Sequence, residues 1–150
     1  MILISPSKNL NLNRESFTFK ESKPFFRNKA KAIVQKLKLL DTNQIASLMN
    51  ISDNLAELNY KRFQNFFDTS IVQKPAVYLF SGGTFNGLSI RSFDDSSLQY
   101  AQKKLRILSG LYGILKPLDS IQPYRLEMGT NTLDLIGDNL CTFWKELVTE

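Results

Sequence analysis

Glycine placement constrains this chain more than any other feature. All seven glycines lie between Gly82 and Gly137, and none occurs in the first 81 residues. Glycine enters left-handed backbone without a steric penalty, so the first half lacks the residue that tight, reversed turns prefer. That half is predicted as one strand followed by helices. The second half is predicted as short strands joined by turns that demand unusual backbone. Strands and helices interleave, so the expected class is a single mixed α/β (α+β) domain, a mixed sheet with flanking helices.

The apolar spacing places the elements. Ile2 to Ile4 reads as a buried strand ended by Ser5-Pro6-Ser7. Lys23-Pro24 opens a helix to about Leu39, with Phe26, Ala30, Ile33, Val34 and Leu37 at intervals of three and four. Asp41 and Thr42 cap a second helix carrying Ile45, Leu48 and Met49 inward. Ser52 caps a third with Ala56, Tyr60, Phe63 and Phe67 as its stripe. The continuous apolar run Ala76 to Phe80, flanked by Pro75 and Gly82, is predicted as a central strand. Asp94 and Asp95 precede a helix with Leu98, Ala101 and Leu105 on one face, and a last helix from about Asp138 carries Leu140, Phe143, Trp144 and Leu147.

Two absences limit the chemistry. The chain has no histidine and one cysteine, Cys141. It therefore cannot build a Ser–His or Cys–His couple, a four-ligand Cys/His zinc site or a disulfide framework by itself. Carboxylates such as Asp94, Asp95, Asp134 and Asp138 are what remains for iron, and the Glu-x-x-His pattern of ferritin-like sites is impossible. No cofactor motif is found. The apolar run Ala76 to Phe80 falls far short of the roughly 20 residues that span a bilayer, and Met1-Ile2-Leu3-Ile4 follows no basic leader. With one unpaired thiol, the expected compartment is the cytoplasm, with no membrane partner.

The net charge of +5 is uneven. Residues 1–75 hold twelve Lys/Arg against six Asp/Glu, and residues 76–150 hold seven against eight. A basic half points towards an anionic partner. Arg27, Lys29, Lys31, Lys36 and Lys38 flank the first helix with no acid between Glu21 and Asp41. Such a face neutralises phosphates or is simply a solvated surface.

Three further segments carry candidate chemistry. Ser81-Gly82-Gly83-Thr84-Phe85-Asn86-Gly87 follows the predicted strand, but it matches neither a P-loop nor a dinucleotide fingerprint and no clear helix follows at once. A tight turn is the plainer reading. Ser109-Gly110-Leu111-Tyr112-Gly113, with Lys103, Lys104, Arg106 and Lys116 around it, has glycines three apart, as in loops that clamp a nucleic-acid backbone. A packed strand-turn is the alternative. Gln122 to Gly129, if extended, puts Tyr124, Leu126 and Met128 on one face and Arg125 with Glu127 on the other. Arg125 then holds an anion or forms a structural ion pair, and Lys8 joins Tyr124, Arg125 and Glu127 in an enzyme or anion site if the fold gathers them.

Taken together, Ile4-Ser5-Pro6-Ser7-Lys8, Met49 to Ala56, Leu108 to Asp119 and Pro123 to Gly129 resemble the YaaA family of bacterial peroxide-stress proteins, and the resemblance runs from Met1 to the Phe143-Trp144 helix. It implies a mixed fold of unusual topology and a cytoplasmic protein that limits free iron under oxidative stress. It also implies DNA binding through a basic cleft with a helix-hairpin-helix-like element, and it brings no established catalytic mechanism. Gly110, Tyr112 and Gly113 would form that element, with Lys103, Lys104, Arg106 and Lys116 on phosphates. Ser7 stands where the family usually has Ala. Family members extend beyond the last helix, so the resemblance implies the N-terminal portion of a larger domain or a short form.

Overall fold

The computed structural model describes residues 1–150 except Thr69, Asp138, Thr149 and Glu150. It is mixed α+β, and its elements fall into two compact units interleaved along the chain. The first comprises Met1–Phe25, Val72–Leu108 and Ile114–Pro123, and the second Phe26–Ile71, Ser109–Gly113 and Tyr124–Glu150.

The first unit is built on short strands. Strand β1 (Ile2–Ile4) pairs in parallel with β5 (Leu105–Ser109), Ile2 opposite Leu105 and Ile4 opposite Ile107, and β6 (Gly113–Leu115) lies on the other side of β5. As the edge of a three-stranded sheet, β1 is not the buried strand its apolar sequence predicts. Ile2 and Leu3 are exposed. Two antiparallel pairs complete the unit: β2 (Asn9–Leu10) with β4 (Phe80–Ser81), and β3 (Lys74–Pro75) with β7 (Ser120–Ile121).

The predicted central strand at Ala76 to Phe80 is corrected by the structure. Ala76–Leu79 form one helical turn, α4, inserted between β3 and β4. Its first two amides donate to the carbonyls of Asp119 (2.8 Å) and Pro117 (3.1 Å), and Phe80 N–H closes the turn on Ala76. Every one of these residues is buried, so a continuous apolar run satisfies a turn of helix as well as a strand. The turn reaims the chain, letting Lys74 and Phe80 pair with different strands. A second correction follows at once. Helix α5 (Gly83–Leu88) begins immediately after Gly82, where the sequence predicts only a tight turn, and leads through a left-handed Ser89 into a 3-10 turn, Ile90–Ser92.

Helix α6 (Asp95–Lys104) matches the sequence prediction except at Leu105, which is predicted on its face but opens β5. Asp94 caps it by accepting from Ser97 N–H at 2.8 Å, and Leu98 and Ala101 are buried.

The second unit holds α1 (Arg27–Leu37), α2 (Thr42–Met49) and α3 (Asp53–Gln64). Of the predicted α1 stripe, Ala30, Ile33, Val34 and Leu37 are buried, while Phe26 precedes the helix and is half-buried. Helix α2 has a reciprocal cap: Asp41 Oδ1 accepts from Gln44 N–H at 2.8 Å, and Gln44 Oε1 accepts from Asp41 N–H at 2.9 Å. Ser52 caps α3. Helix α7 (Leu133–Ile136) packs on α1, and α8 (Leu140–Val148) buries Leu140 and Trp144. No helix among the described residues is long and apolar enough to cross a membrane.

Candidate functional site

In the first unit, the last turn of α6 ends in Lys103 and Lys104, both exposed, where cations complement the helix carbonyls. Arg106, half-buried, donates from Nη1 to the carbonyls of Gln102 and Leu105 at 2.7 Å each, closing the helix end. The neighbouring Lys116-Pro117-Leu118-Asp119 turn is tied to this end by side chains that carry no signal in the sequence. Gln102 Oε1 accepts from Leu118 N–H at 2.9 Å, and Gln102 Nε2 donates to Ser22 Oγ at 2.9 Å. Asp119, 1% exposed, accepts from Ser22 Oγ–H at 2.5 Å and from Lys116 N–H at 2.8 Å. A partly buried polar network, with Asp119 its buried member, thus ties the Lys116 turn to the helix end that carries Lys103 and Lys104, and none of the three lysines makes an ion pair among the described residues. The three lysines stand out in the sequence, but nothing in the spacing of Ser22, Gln102 and Asp119 announces the network that gathers them.

The glycines of the same motif do a different job. The segment 110–112 joins β5 to β6, so the helix-hairpin-helix form implied by the resemblance is replaced by a strand-turn-strand. Gly110, Tyr112 and Gly113 are buried. A Cβ at Gly110 would stand 2.0 Å from Leu126 O, and one at Gly113, where φ is +77°, would stand 2.4 Å from the Trp144 ring. Trp144 Nε1–H donates to Gly110 O at 2.7 Å. These glycines admit close packing, and the solvent-facing part of the expected interface is lysine.

Tyr124 and Ser109 share a 2.6 Å hydrogen bond inside the second unit, and Ser109 Oγ also accepts from Tyr112 N–H at 3.0 Å. Burial raises the Tyr124 phenol well above its ordinary range. Residues 124–128 alternate as the sequence predicts, with Tyr124 and Leu126 buried. Arg125 Nη2 meets Glu127 Oε1 at 3.3 Å, while Arg125 Nε is buried without a hydrogen-bond partner. Lys8 is exposed and belongs to the first unit. Its Ser5-Pro6-Ser7-Lys8 turn sits against the glycine-rich segment: Gly82, at φ +113°, leaves room for Ser7 Oγ, which would lie 3.0 Å from a Cβ.

A third cluster is not legible in the sequence. Lys74, 1% exposed, donates to Asn11 O at 3.0 Å and pairs with Glu15 at 2.5 Å. Glu15 in turn holds Arg91 through both guanidinium Nη atoms, with Nη2 to Oε2 at 2.8 Å. The bond to Arg91, with the ammonium of Lys74, holds the Glu15 carboxyl down to about 2. Arg91 lies over the Tyr78 ring at 5.2 Å, and that ring packs against Phe17 and Phe19.

On α1, Arg27, Lys29, Lys31 and Lys36 are exposed and Lys38 is half-buried; Arg27 stacks over Phe67 at 5.3 Å. Of the carboxylates open to iron, Asp94 caps α6, Asp95 follows it in the first turn, Asp134 is exposed on α7, and Asp138 lies outside the described residues. No three His, Cys, Asp or Glu side chains gather to hold a metal among the described residues.

A mixed α+β chain with its Lys116 turn bonded to the end of α6, and with Gly110 and Gly113 closed against Leu126 and Trp144, defines a class that comparison makes specific. The family model described as "Peroxide stress protein YaaA" matches residues 1–150, and the chain belongs to that family. It is 45% identical to a UPF0246 protein of Legionella pneumophila strain Philadelphia 1 over 152 residues, covering 99% of this chain and 59% of the relative. A UPF0246 protein of Flavobacterium psychrophilum is 46% identical (99% and 60%), and one of Burkholderia mallei is 42% identical (99% and 58%). The chain thus spans about three-fifths of the length of these relatives.

Proposed function

We propose that the chain serves the peroxide-stress response by binding DNA without sequence preference, and that its effect on intracellular free iron follows indirectly from that binding. One observation carries the reading: Lys103, Lys104 and Lys116 are exposed and lack ion-pair partners among the described residues, and the turn that bears Lys116 is bonded through Gln102, Ser22 and Asp119 to the helix that ends in Lys103 and Lys104. Exposed ammonium groups without a counter-charge neutralise phosphates, and each neutralised phosphate releases counterions. Arg106 supports the group by closing the helix end. The exposed cations of α1, from Arg27 to Lys36, form a second surface suited to phosphates.

The test is a gel-shift series on duplex DNA at two salt concentrations. Binding falls steeply with salt, and the Lys103→Ala/Lys104→Ala/Lys116→Ala variant loses most of it. Undiminished affinity in that variant overturns the placement.

A second reading, binding of a small anion, is favoured by one observation: Arg125 keeps a buried Nε without a partner beside Glu127. With Tyr124, Arg125 and Glu127 of the second unit as its proposed residues, it predicts that Arg125→Lys abolishes phosphate binding while leaving DNA binding intact.

A further inference from the structure

A cleft of about 370 Å³ opens in the first unit where α4, β4, α5 and the 3-10 turn meet. Its size lies within the range of small-molecule sites, and its construction is of the same kind: apolar walls with a few convergent polar groups. Phe80 and Phe85, both nearly buried and with ring centroids 5.4 Å apart, line the wall. Asn86 offers a side-chain amide with both a donor and an acceptor, and it is exposed at the rim. Arg91 stands at the opening, 55% exposed, with one face of its guanidinium on Tyr78.

Charge narrows the ligand class. Among the described residues the cleft lining has no carboxylate. Glu15 takes up one charge beside Arg91, but buried Lys74 supplies a second cation, so the Lys74–Glu15–Arg91 group is net +1. Because Glu15 grips Arg91 through both Nη atoms, the guanidinium is fixed in position before any ligand arrives. An aromatic wall, an amide with paired donor and acceptor, and a fixed cation at the mouth are the three features that recognise an unstacked base carrying a phosphate.

We infer that this cleft binds a single nucleotide unit, its base against Phe80 and Phe85 with an edge on Asn86 and its phosphate at Arg91. The nucleotide is either free or an unpaired position of a single strand. In the second case the inference rests on the DNA reading above, and places an unpaired base in the first unit.

The experiment is a side-chain and backbone amide NMR titration of the 150-residue chain with dAMP, with deoxyadenosine, with a single-stranded tetranucleotide and with a duplex. Resonances of Asn86 and Arg91 shift with dAMP and with the tetranucleotide, and deoxyadenosine binds at least tenfold more weakly than dAMP. Tetranucleotide affinity at least tenfold above dAMP assigns the site to strands, and equal affinities assign it to free nucleotides. Asn86→Asp, at an exposed rim position, replaces the amide donor that meets the base edge with an acceptor and weakens dAMP binding at least tenfold. Arg91→Gln does the same, and retained amide dispersion shows that either variant is folded. The triple lysine variant retains dAMP binding while losing the duplex. Duplex binding without any dAMP or tetranucleotide shift at Asn86 overturns the inference and leaves the DNA reading standing. Binding of dAMP that is indifferent to both variants overturns it as well.

Discussion

The indole N–H of Trp144 donates to the carbonyl of Gly110 at 2.7 Å, across 34 residues of sequence. The same ring fills the space above Gly113, where a Cβ would meet it at 2.4 Å. The long Leu108–Gly129 motif is thereby explained in part as packing: at Gly110 and Gly113 the Leu126 backbone and a tryptophan occupy the space that larger side chains would need.

Gly113→Ala combines a left-handed backbone with a clash against a buried ring, and is expected to cost more than about 2 kcal/mol. Trp144→Phe keeps most of the apolar packing but leaves Gly110 O without its donor, at a cost of about 1–3 kcal/mol. Urea denaturation of both variants checks the order, and a Gly113→Ala chain as stable as the wild type contradicts the packing role.

Acid tests the Glu15 cluster. The folded carboxyl is held down to about 2 from an ordinary value of 4.5, chiefly by Arg91. A lowered folded value contributes stability that is complete above the unfolded value and lost as pH falls towards 2. Wild-type stability is therefore expected to decline between about pH 4.5 and 2, and Glu15→Gln to flatten that part of the profile. Glu15→Ala leaves buried Lys74 facing only the Asn11 carbonyl, and removing one member of a buried pair costs about 3–5 kcal/mol. Chemical denaturation at about pH 3, 5 and 7 reads both effects.

Salt dependence tests the lysine cluster in a way affinity alone does not. Each B-DNA phosphate that the protein no longer neutralises reduces the slope of log K against log salt by about 0.9. Replacing Lys103, Lys104 and Lys116 with alanine should lower the slope by about 2–3. A variant that binds more weakly at every salt with an unchanged slope would show that these lysines touch no phosphate.

Asp119→Ala removes the acceptor for Ser22 Oγ–H and Lys116 N–H at one stroke. Leaving such donors unsatisfied costs about 1–3 kcal/mol each. DNA affinity should fall although no charge that faces DNA has been removed. Asp119→Asn restores an acceptor and recovers part of both losses. Equal DNA binding by wild type and a folded Asp119→Ala chain would detach Lys116 from the interface.

The helices are legible in the sequence wherever a stripe and a cap coincide. Asp41, Ser52 and Asp94 each cap the helix their position announces. The apolar run at Ala76 misleads because total burial erases periodicity, leaving nothing to separate strand from helix. At β1 the apolar residues signal a strand correctly, yet burial depends on which strands lie beside it, and among the described residues only β5 does. Lys103, Lys104 and Lys116 can be picked out because charge is visible in a sequence. The cluster of Lys74, Glu15 and Arg91 cannot, because residues 15, 74 and 91 meet only after the intervening chain has folded back on itself.

The interleaving of the two units also sets an order of events during synthesis. The helices α1 to α3 leave the ribosome early, but their unit is completed by Ser109–Gly113 and by the segment from Tyr124 onward. Trp144 must emerge before the Gly110 carbonyl finds its donor and the Phe26 ring its neighbour at 5.4 Å. Contacts this distant in sequence are slow to form, since the intervening chain must close before they return any stability. The nascent protein therefore carries an unfinished apolar helical surface until Trp144 has emerged, a period in which chaperone capture or aggregation competes with folding.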